Sequence, residues 1–515
     1  MNAIQSMGIR LNATHTENGD LAYKSTGSAC LDLFSLCGGM RNNTTDLTKL
    51  FTKAYFEDHV LAIKILFYLR DIRGGLGERN SFRVLLQQLA THYPETAKQI
   101  VAVIPTYGRW DDLLVLLDTP VKDDAIALIK KQIEEDKMAL ETGKEVSLLG
   151  KWLPSINTSS SKSIHNAKII MSVLGMKAVD YRKLCSALRK SIKIIEDNLR
   201  RKDYTFDYSK QPSQAMHRYK KAFIRNDEER YKSFLNKVIT QTEKIARGEE
   251  IPEEEKVKLN TKTLYPYQIV APFMRNMYSR IDHLPSNEEM LALEASWRSL
   301  DRSKFSSRTI VVRDGSGSMY GIGDFAPINV ATSLAMLFSE QLTGAYKNSF
   351  ITFSSRPELV QIPDTADTLY KKTQFLQTFD DCSNTNIELV YELLLNTAMD
   401  KSVPKEEMIE RVLIVSDMEF DCLTSRDEKS VFEYYKQRFA EAGYELPELV
   451  FWNVAARNVH TPVTMNEQGV KLVSGASANI FSDVMNGELK AITPYEFMLK
   501  VLEPYALFDN ILNAA

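Results

Sequence analysis

"TIVVRDGSGSMYG", residues 309–321, is the stretch on which the fold turns. An apolar, β-branched run leads to an acid, and four small residues follow, two of them carrying hydroxyls. The spacing D-x-S-x-S places Asp314, Ser316 and Ser318 in one tight loop, with Gly315 and Gly317 free to take backbone angles that other residues avoid. One carboxylate and two hydroxyls are hard oxygen ligands. They suit Mg²⁺, Mn²⁺ or Ca²⁺ rather than zinc or copper. The simpler alternative is a Gly/Ser turn whose Asp and Ser side chains cap nearby backbone N–H groups.

Working outward, short β-branched runs recur: "SFITFSS", "RVLIVSD", "ELVFWNV" and "GVKLVSG". Helical patterns such as "PINVATSLAMLFSEQLTG" and "NTNIELVYELLLNTAM" lie between them, the first with Pro327 near its opening turn. Alternating strand and helix predict a mainly parallel, doubly wound sheet. Ligands bind such sheets at the carboxyl ends of the strands. Asp314 and Asp417 both stand there and should share one rim. Thr385, in "DCSNTNIEL", directly precedes a helix. Magnesium takes six oxygens and keeps several as water, so Thr385 and Asp417 are the natural additions to the loop.

Toward the N-terminus the texture changes. Residues 1–45 read as loops and short extended pieces. From about 46 to 247 the apolar spacing turns helical, as at Phe56, Val60, Ile63 and Phe67, or Tyr181, Leu184, Leu188, Ile192, Ile195 and Leu199. Breaker turns ("RGGLGER", "PTYGRWDD", "KWLPSINTSSS") separate the helices, which suggests a HEAT-like solenoid. "RGEEIPEEEKVK", 247–258, is the most linker-like piece. The expected class is therefore α plus α/β: an N-terminal segment (1–45), a helical domain (46–300) and a sheet domain (305–515).

The chain has 515 residues and a formal net charge of −3, so the whole does not advertise a nucleic-acid binder. The charge is nevertheless segregated: residues 150–247 hold roughly 22 Lys and Arg against about 9 Asp and Glu. Within that segment, basic residues stand beside Tyr and Phe, a composition that suits phosphates and unpaired bases. "DIRGGLGERNSFR" adds further arginines around three glycines; it lacks the GxxxxGK[ST] pattern and reads as a corner between helices. At the corner "PTYGRWDDLL", Trp110 is expected in the core and Arg109 beside Asp111. Local charge picks Arg70, Arg73, Arg79, Lys151, Lys162, Arg182, Lys183, Arg189, Lys190 and Arg218 as candidates for RNA contact.

Five cysteines (Cys30, Cys37, Cys185, Cys382, Cys422) form no CxxC and suggest reduced thiols. No signal-peptide core and no membrane-length apolar run is seen, so a cytoplasmic protein is expected.

A helical array followed by "VVRDGSGSM" resembles the TROVE-module proteins of the Ro type, which end in a von Willebrand factor A domain. "LYPYQIV" ahead of the sheet region is similar to that family as well. Closer still is a related family of unknown function found in plants, bacteria and phages, echoed by "NGDLAYKSTGSACLDLF", "RDIRGGLGER", "YGRWDDLL", "LGKWLPS", "FIRNDEERY", "VFWNV" and "GVKLVSGAS". The resemblance implies a Rossmann-like A domain with a metal-ion-dependent adhesion site, mapping onto Asp314, Ser316, Ser318, Thr385 and Asp417, with one coordination position open for a partner's acidic group. It implies a ring-closing helical domain that binds small structured or single-stranded RNA as a ribonucleoprotein scaffold or chaperone, and not an enzyme. Two residues depart from the pattern: Arg313 before the loop and Asn386 after Thr385.

The seven histidines are dispersed, with no HExxH, and "GSGSM" is not the GxSxG nucleophile elbow. Asp380, Asp381, Asp417 and Glu419 could hold two metals for phosphodiester cleavage, or stand behind the metal site or on the surface. The reading that follows is a non-enzymatic RNA-binding scaffold. The alternative is a metal-dependent protein-interaction or assembly factor without RNA.

Overall fold

The computed structural model describes residues 11–16, 21–192, 194–274, 284–303, 306–321, 326–354, 356–379, 387–419, 431–477, 479–480, 484 and 492–513. The chain divides into two compact units, Met1–Asp58 with Tyr208–Glu503, and His59–Asp207 with Pro504–Ala515. These do not follow the boundaries expected at 45 and 300. The helical stretch is shared between the two units, and the last residues of the chain join the second.

The described part of the N-terminal segment holds two paired strands and a helix where loops and short extended pieces were expected. Strands β1 (Ala13–His15) and β2 (Leu21–Tyr23) pair antiparallel. Helix α1 (Ala29–Leu36) follows, capped by Ser28, whose hydroxyl accepts from the Leu31 amide. Helix α2 (Thr44–Glu57) is capped by Asn43. The segment lies on the sheet of its own unit: Tyr23 exchanges backbone bonds with Thr461, and the Ala456 amide donates to Gly39 O. A Cβ at Gly38 would lie 2.6 Å from the Ser474 carbonyl, so only glycine allows this approach.

Helices α3 (His59–Arg70), α4 (Arg79–His92), α5 (Lys122–Glu141), α6 (Ser161–Val173), α7 (Ala178–Ile192) and α8 (Ile195–Arg201) build the other unit. The expected stripe Phe56–Phe67 is not one helix. The chain is extended at Asp58 between α2 and α3, and Phe56 is 76 % exposed. The second stripe breaks too, after Ile192, while Tyr181, Leu184 and Leu188 are buried as expected. The α3–α4 corner depends on glycine. The Leu76 amide donates to Tyr68 O and the Glu78 amide to Leu69 O, and a Cβ on Gly75 would meet the Tyr68 carbonyl oxygen at 2.0 Å. The C-terminal residues belong here because Phe508 stacks on Phe67 at 4.4 Å and Lys64 pairs with Asp509 at 2.7 Å.

Helices α9 (Ser213–Asn226), α10 (Glu228–Ala246) and α11 (Asn287–Arg298) return to the first unit. The linker-like piece is no boundary: Gln241 on α10 donates to Val257 O at 3.0 Å and accepts from its amide at 2.7 Å. Glu340 explains why α11 joins the sheet. Its carboxylate accepts from Trp297 Nε1 at 3.1 Å, Arg302 Nη2 at 2.8 Å and Lys372 Nζ at 2.6 Å.

Strands β3 (Thr309–Asp314), β4 (Ser349–Phe353), β5 (Leu359–Gln361), β6 (Arg411–Ser416), β7 (Glu448–Asn453) and β8 (Val470–Ser474) form a six-stranded sheet in the order β5-β4-β3-β6-β7-β8. All pairings are parallel except β4–β5. The five sequence runs became strands, and the edge strand β5 was not anticipated. Every residue of β3, β4, β6, β7 and β8 is buried, as a sheet covered on both faces requires. Helices α12 (Pro327–Ser339) and α13 (Ile387–Asp400) fall where the apolar patterns placed them. Ile310, Val312, Ile351, Val412 and Ile414 form a core with Ile387, Val390 and Leu394 of α13.

Candidate metal loop and nucleic-acid interface

Strand β3 lies between β4 and β6, so the chain leaves it in opposite directions: this is the switch point of the sheet. Asp314 ends β3 and Asp417 follows β6, and both are buried, at 4 % and 3 % exposure. Asp314 Oδ2 accepts from Ser416 Oγ at 2.6 Å and Oδ1 from the Ser316 amide at 2.8 Å. Ser316 Oγ and Ser318 Oγ are 3.0 Å apart. Burial, and then the Asp417 carboxylate, push the Asp314 carboxyl up to about 6 against the hydrogen bonds that favour its charge. Neither Gly315 nor Gly317 takes a positive φ; the left-handed residue at this rim is Met418, at +66°.

Arg313 does not face the loop. Alternation along β3 sends it to the opposite face, where its Nε donates to Thr332 Oγ1 of α12 at 3.0 Å with 1 % exposure. Among the described residues, Arg457 is the cation that reaches Asp417, and it is absent from the candidates picked by sequence. Its Nη2 donates to Asp417 Oδ2 at 3.0 Å, and its own side chain is 42 % exposed. Its signal was available, because "NVAARNVH" follows β7 at the same carboxyl rim. Asn43 Nδ2 holds the same loop by donating to Arg457 O at 3.0 Å.

Two crowded carboxylates and a pair of hydroxyls are a donor set that fits a divalent cation, since a charge between the acids would relieve their repulsion. Asp314, Ser316, Ser318 and Asp417 are brought together, while Thr385 and Asn386 lie outside the described residues, as do Asp380 and Asp381. Glu419 accepts from Asn458 Nδ2 at 2.8 Å and lies 3.6 Å from His460. Among the described residues no group of three or more His, Cys, Asp or Glu gathers as a metal site. Cys30, Cys37 and Cys185 are buried thiols outside any disulfide.

The basic candidates separate by environment. Arg70 is 3 % exposed and its Nε donates to Asp112 at 2.8 Å, so it is closed to any polyanion. Arg189 is turned inward, donating to Gly150 O at 3.0 Å and Leu153 O at 2.9 Å. Arg73 is exposed and donates to Thr106 O at 3.2 Å, and Arg79 is exposed at the start of α4. Lys151 lies 3.6 Å from Glu196 and over the Trp152 ring. Lys162, Arg182, Lys183 and Lys190 are exposed on α6 and α7. Arg218 is exposed on α9, in the other unit. Arg109 pairs with Asp111 at 3.0 Å as anticipated and stacks on Trp152 at 3.9 Å, whereas Trp110 is only half-buried. Residues 151–202 contain 12 Lys and Arg against 3 Asp and Glu, which concentrates the charge on α6–α8.

No described helix is long and apolar enough to cross a membrane.

Residues 16–137 and 175–302 match a domain of unknown function, DUF2828, and residues 308–496 match a second, DUF7788. A Ro (RSR) protein of Deinococcus radiodurans, solved by crystallography, aligns with 90 % of this chain and 100 % of its own at a TM-score of 0.46 and 14 % identity. Uncharacterized protein L728 of Acanthamoeba polyphaga mimivirus is 31 % identical over 532 residues, covering 98 % of this chain and 89 % of that protein. On that extent of identity, the chain belongs to the family of the mimivirus protein L728.

Proposed function

We propose that this protein is a non-enzymatic, cytoplasmic RNA-binding scaffold of the Ro type. Its sheet is a von Willebrand A-like domain that holds a divalent cation and recruits an acidic group of a protein partner. The observation that carries the RNA reading is the exposed surface of α6 and α7. Lys162 and Lys168 on α6, Arg182, Lys183 and Lys190 on α7, and Lys177 in the turn between them are all exposed, with no ion pair among the described residues. Such cations displace the counterions of a phosphate backbone, and binding then weakens steeply with salt. Ultraviolet crosslinking in cells, followed by RNA sequencing, tests the reading. Enriched RNA, and binding in vitro that falls as salt rises, is the expected result. Absence of crosslinked RNA sinks it.

The sheet rim supports a second reading, a metal-dependent protein-interaction factor that works without RNA. Asp314, Ser316, Ser318 and Asp417 offer hard oxygens at a switch point, where ligands of open α/β sheets bind. Salt-insensitive, Mg²⁺- or Mn²⁺-dependent capture of a protein, together with absence of crosslinked RNA, favours it.

A further inference from the structure

A groove of about 560 Å³ opens on the helical unit between residues 155–157, α7 and α8. We infer that this groove is a sequence-blind clamp for the phosphodiester backbone of single-stranded RNA, an inference that rests on the RNA reading above.

Its walls are fixed before any ligand arrives. Arg189 ties α7 to the loop before the groove through Gly150 O, Leu153 O and, at 3.4 Å, Ser155 Oγ. Tyr181 Oη donates to Pro154 O at 2.9 Å. A Cβ on Gly150 would stand 2.5 Å from Leu188 Cβ, so the "LGKWLPS" stretch lies directly on α7. Groups locked by packing and hydrogen bonds lose little entropy when a ligand binds.

The lining is cationic. Arg182, Lys190, Arg200 and Arg201 line it, with the guanidinium of Arg189 held in the wall by carbonyls, against Glu196 and Asp197. Arg200 pairs with Asp197 at 2.8 Å, and Arg201 pairs with the same carboxylate. One carboxylate between two guanidiniums leaves a positive surplus. Arg182 and Lys190 are exposed and have no ion pair among the described residues. Ser155 and Asn157 in the lining add polar groups of the kind that hydrogen-bond phosphate and ribose oxygens.

The volume is in the range of small-ligand sites and suits a nucleotide-sized segment. Among the described residues the only aromatic in the lining, Tyr181, is 1 % exposed and offers no free ring face to a base. Without a stacking platform, recognition falls on phosphates and sugars, which carry no sequence information.

The test is fluorescence anisotropy of the full chain with labelled oligouridine, oligoadenine and mixed-sequence RNA across a salt series. Arg200→Ala/Arg201→Ala should weaken all three RNAs alike, by about tenfold, and lower the salt slope by about 0.7 for each phosphate no longer neutralised. Asp197→Asn should tighten binding several-fold, a gain that misfolding cannot imitate. Inorganic polyphosphate should compete. If the unaltered protein binds RNA and these variants change nothing, or change one sequence only, the clamp is overturned and the RNA reading stands. If the unaltered protein binds none of the three RNAs at low salt, the RNA reading falls and the clamp with it. Polyphosphate or phosphopeptide binding in that case would assign the groove to another polyanion.

Discussion

Arg70 and Asp112 form an ion pair sealed from water: Nε meets Oδ2 at 2.8 Å, with the side chains 4 % and 0 % exposed. Arg83 Nε reaches the other oxygen at 2.6 Å, and the Arg109 amide donates to Oδ2 at 2.9 Å. A Cβ on Gly108 would lie 2.4 Å from that carboxylate, so the glycine of "YGRWDD" makes room for it. Removing one member strands a buried charge. Asp112→Ala should destabilise the helical unit by about 3–5 kcal/mol in denaturant unfolding. Arg70→Met should leave the RNA affinity of the folded protein unchanged, and a tenfold loss would return Arg70 to the RNA surface.

The guanidinium of Arg457 neutralises Asp417 at the proposed metal loop. A divalent cation and this side chain compete for the same carboxylate. Arg457→Gln should therefore bind Mn²⁺ about tenfold more tightly by calorimetry, as loss of roughly 1.4 kcal/mol of competing attraction would give. Asp314→Ala should abolish binding. Equal affinity in Arg457→Gln and the unaltered protein argues that the pair does not occupy the site.

Gly38 donates its amide to Ser474 Oγ at 3.0 Å while its Cα faces the Ser474 carbonyl. Gly38→Ala should force α1 away from β8 and lower stability by roughly 2–3 kcal/mol, the cost of an overpacked contact. Thermal melting followed in the near ultraviolet reads this directly. An unchanged melt would mean that the N-terminal segment contributes little to the sheet unit.

Lys471 is 1 % exposed and lies 3.1 Å from Glu448, which also pairs with Arg411 at 2.8 Å. Burial lowers the Lys471 ammonium to about 8, against the opposing pull of Glu448. The unfolded chain keeps this proton up to its ordinary value near 10.5. Between the two values the unfolded state binds more protons, so the contribution of Lys471 to stability rises with pH there and is lost as pH falls through 8. The stability difference between the unaltered protein and Lys471→Met should move toward the unaltered protein from pH 8 to 10. A flat difference argues against a depressed ammonium.

The parallel sheet was legible because its strands are continuous β-branched runs, a local property that burial on both faces demands. Asp314, Ser316, Ser318 and the rim position of Asp417 followed from short-range spacing and the rule for strand ends. The short edge strand β5 has too few residues to carry a period. The helices were legible from their stripes, but Asp58 interrupts one stripe without changing its spacing, and so Phe56 was misplaced.

Charge was the least legible property. The sequence determined how many cations the basic segment holds and that they outnumber its acids. It could not determine which are free. Arg70 is closed off by an acid 42 residues away, Arg189 by carbonyls up to 39 residues away, and Arg313 by a threonine on the next helix. A guanidinium is a surface charge or a buried strut according to what the fold brings within hydrogen-bond reach. Only the tertiary structure brings Asp112 to Arg70, or Arg457 to Asp417.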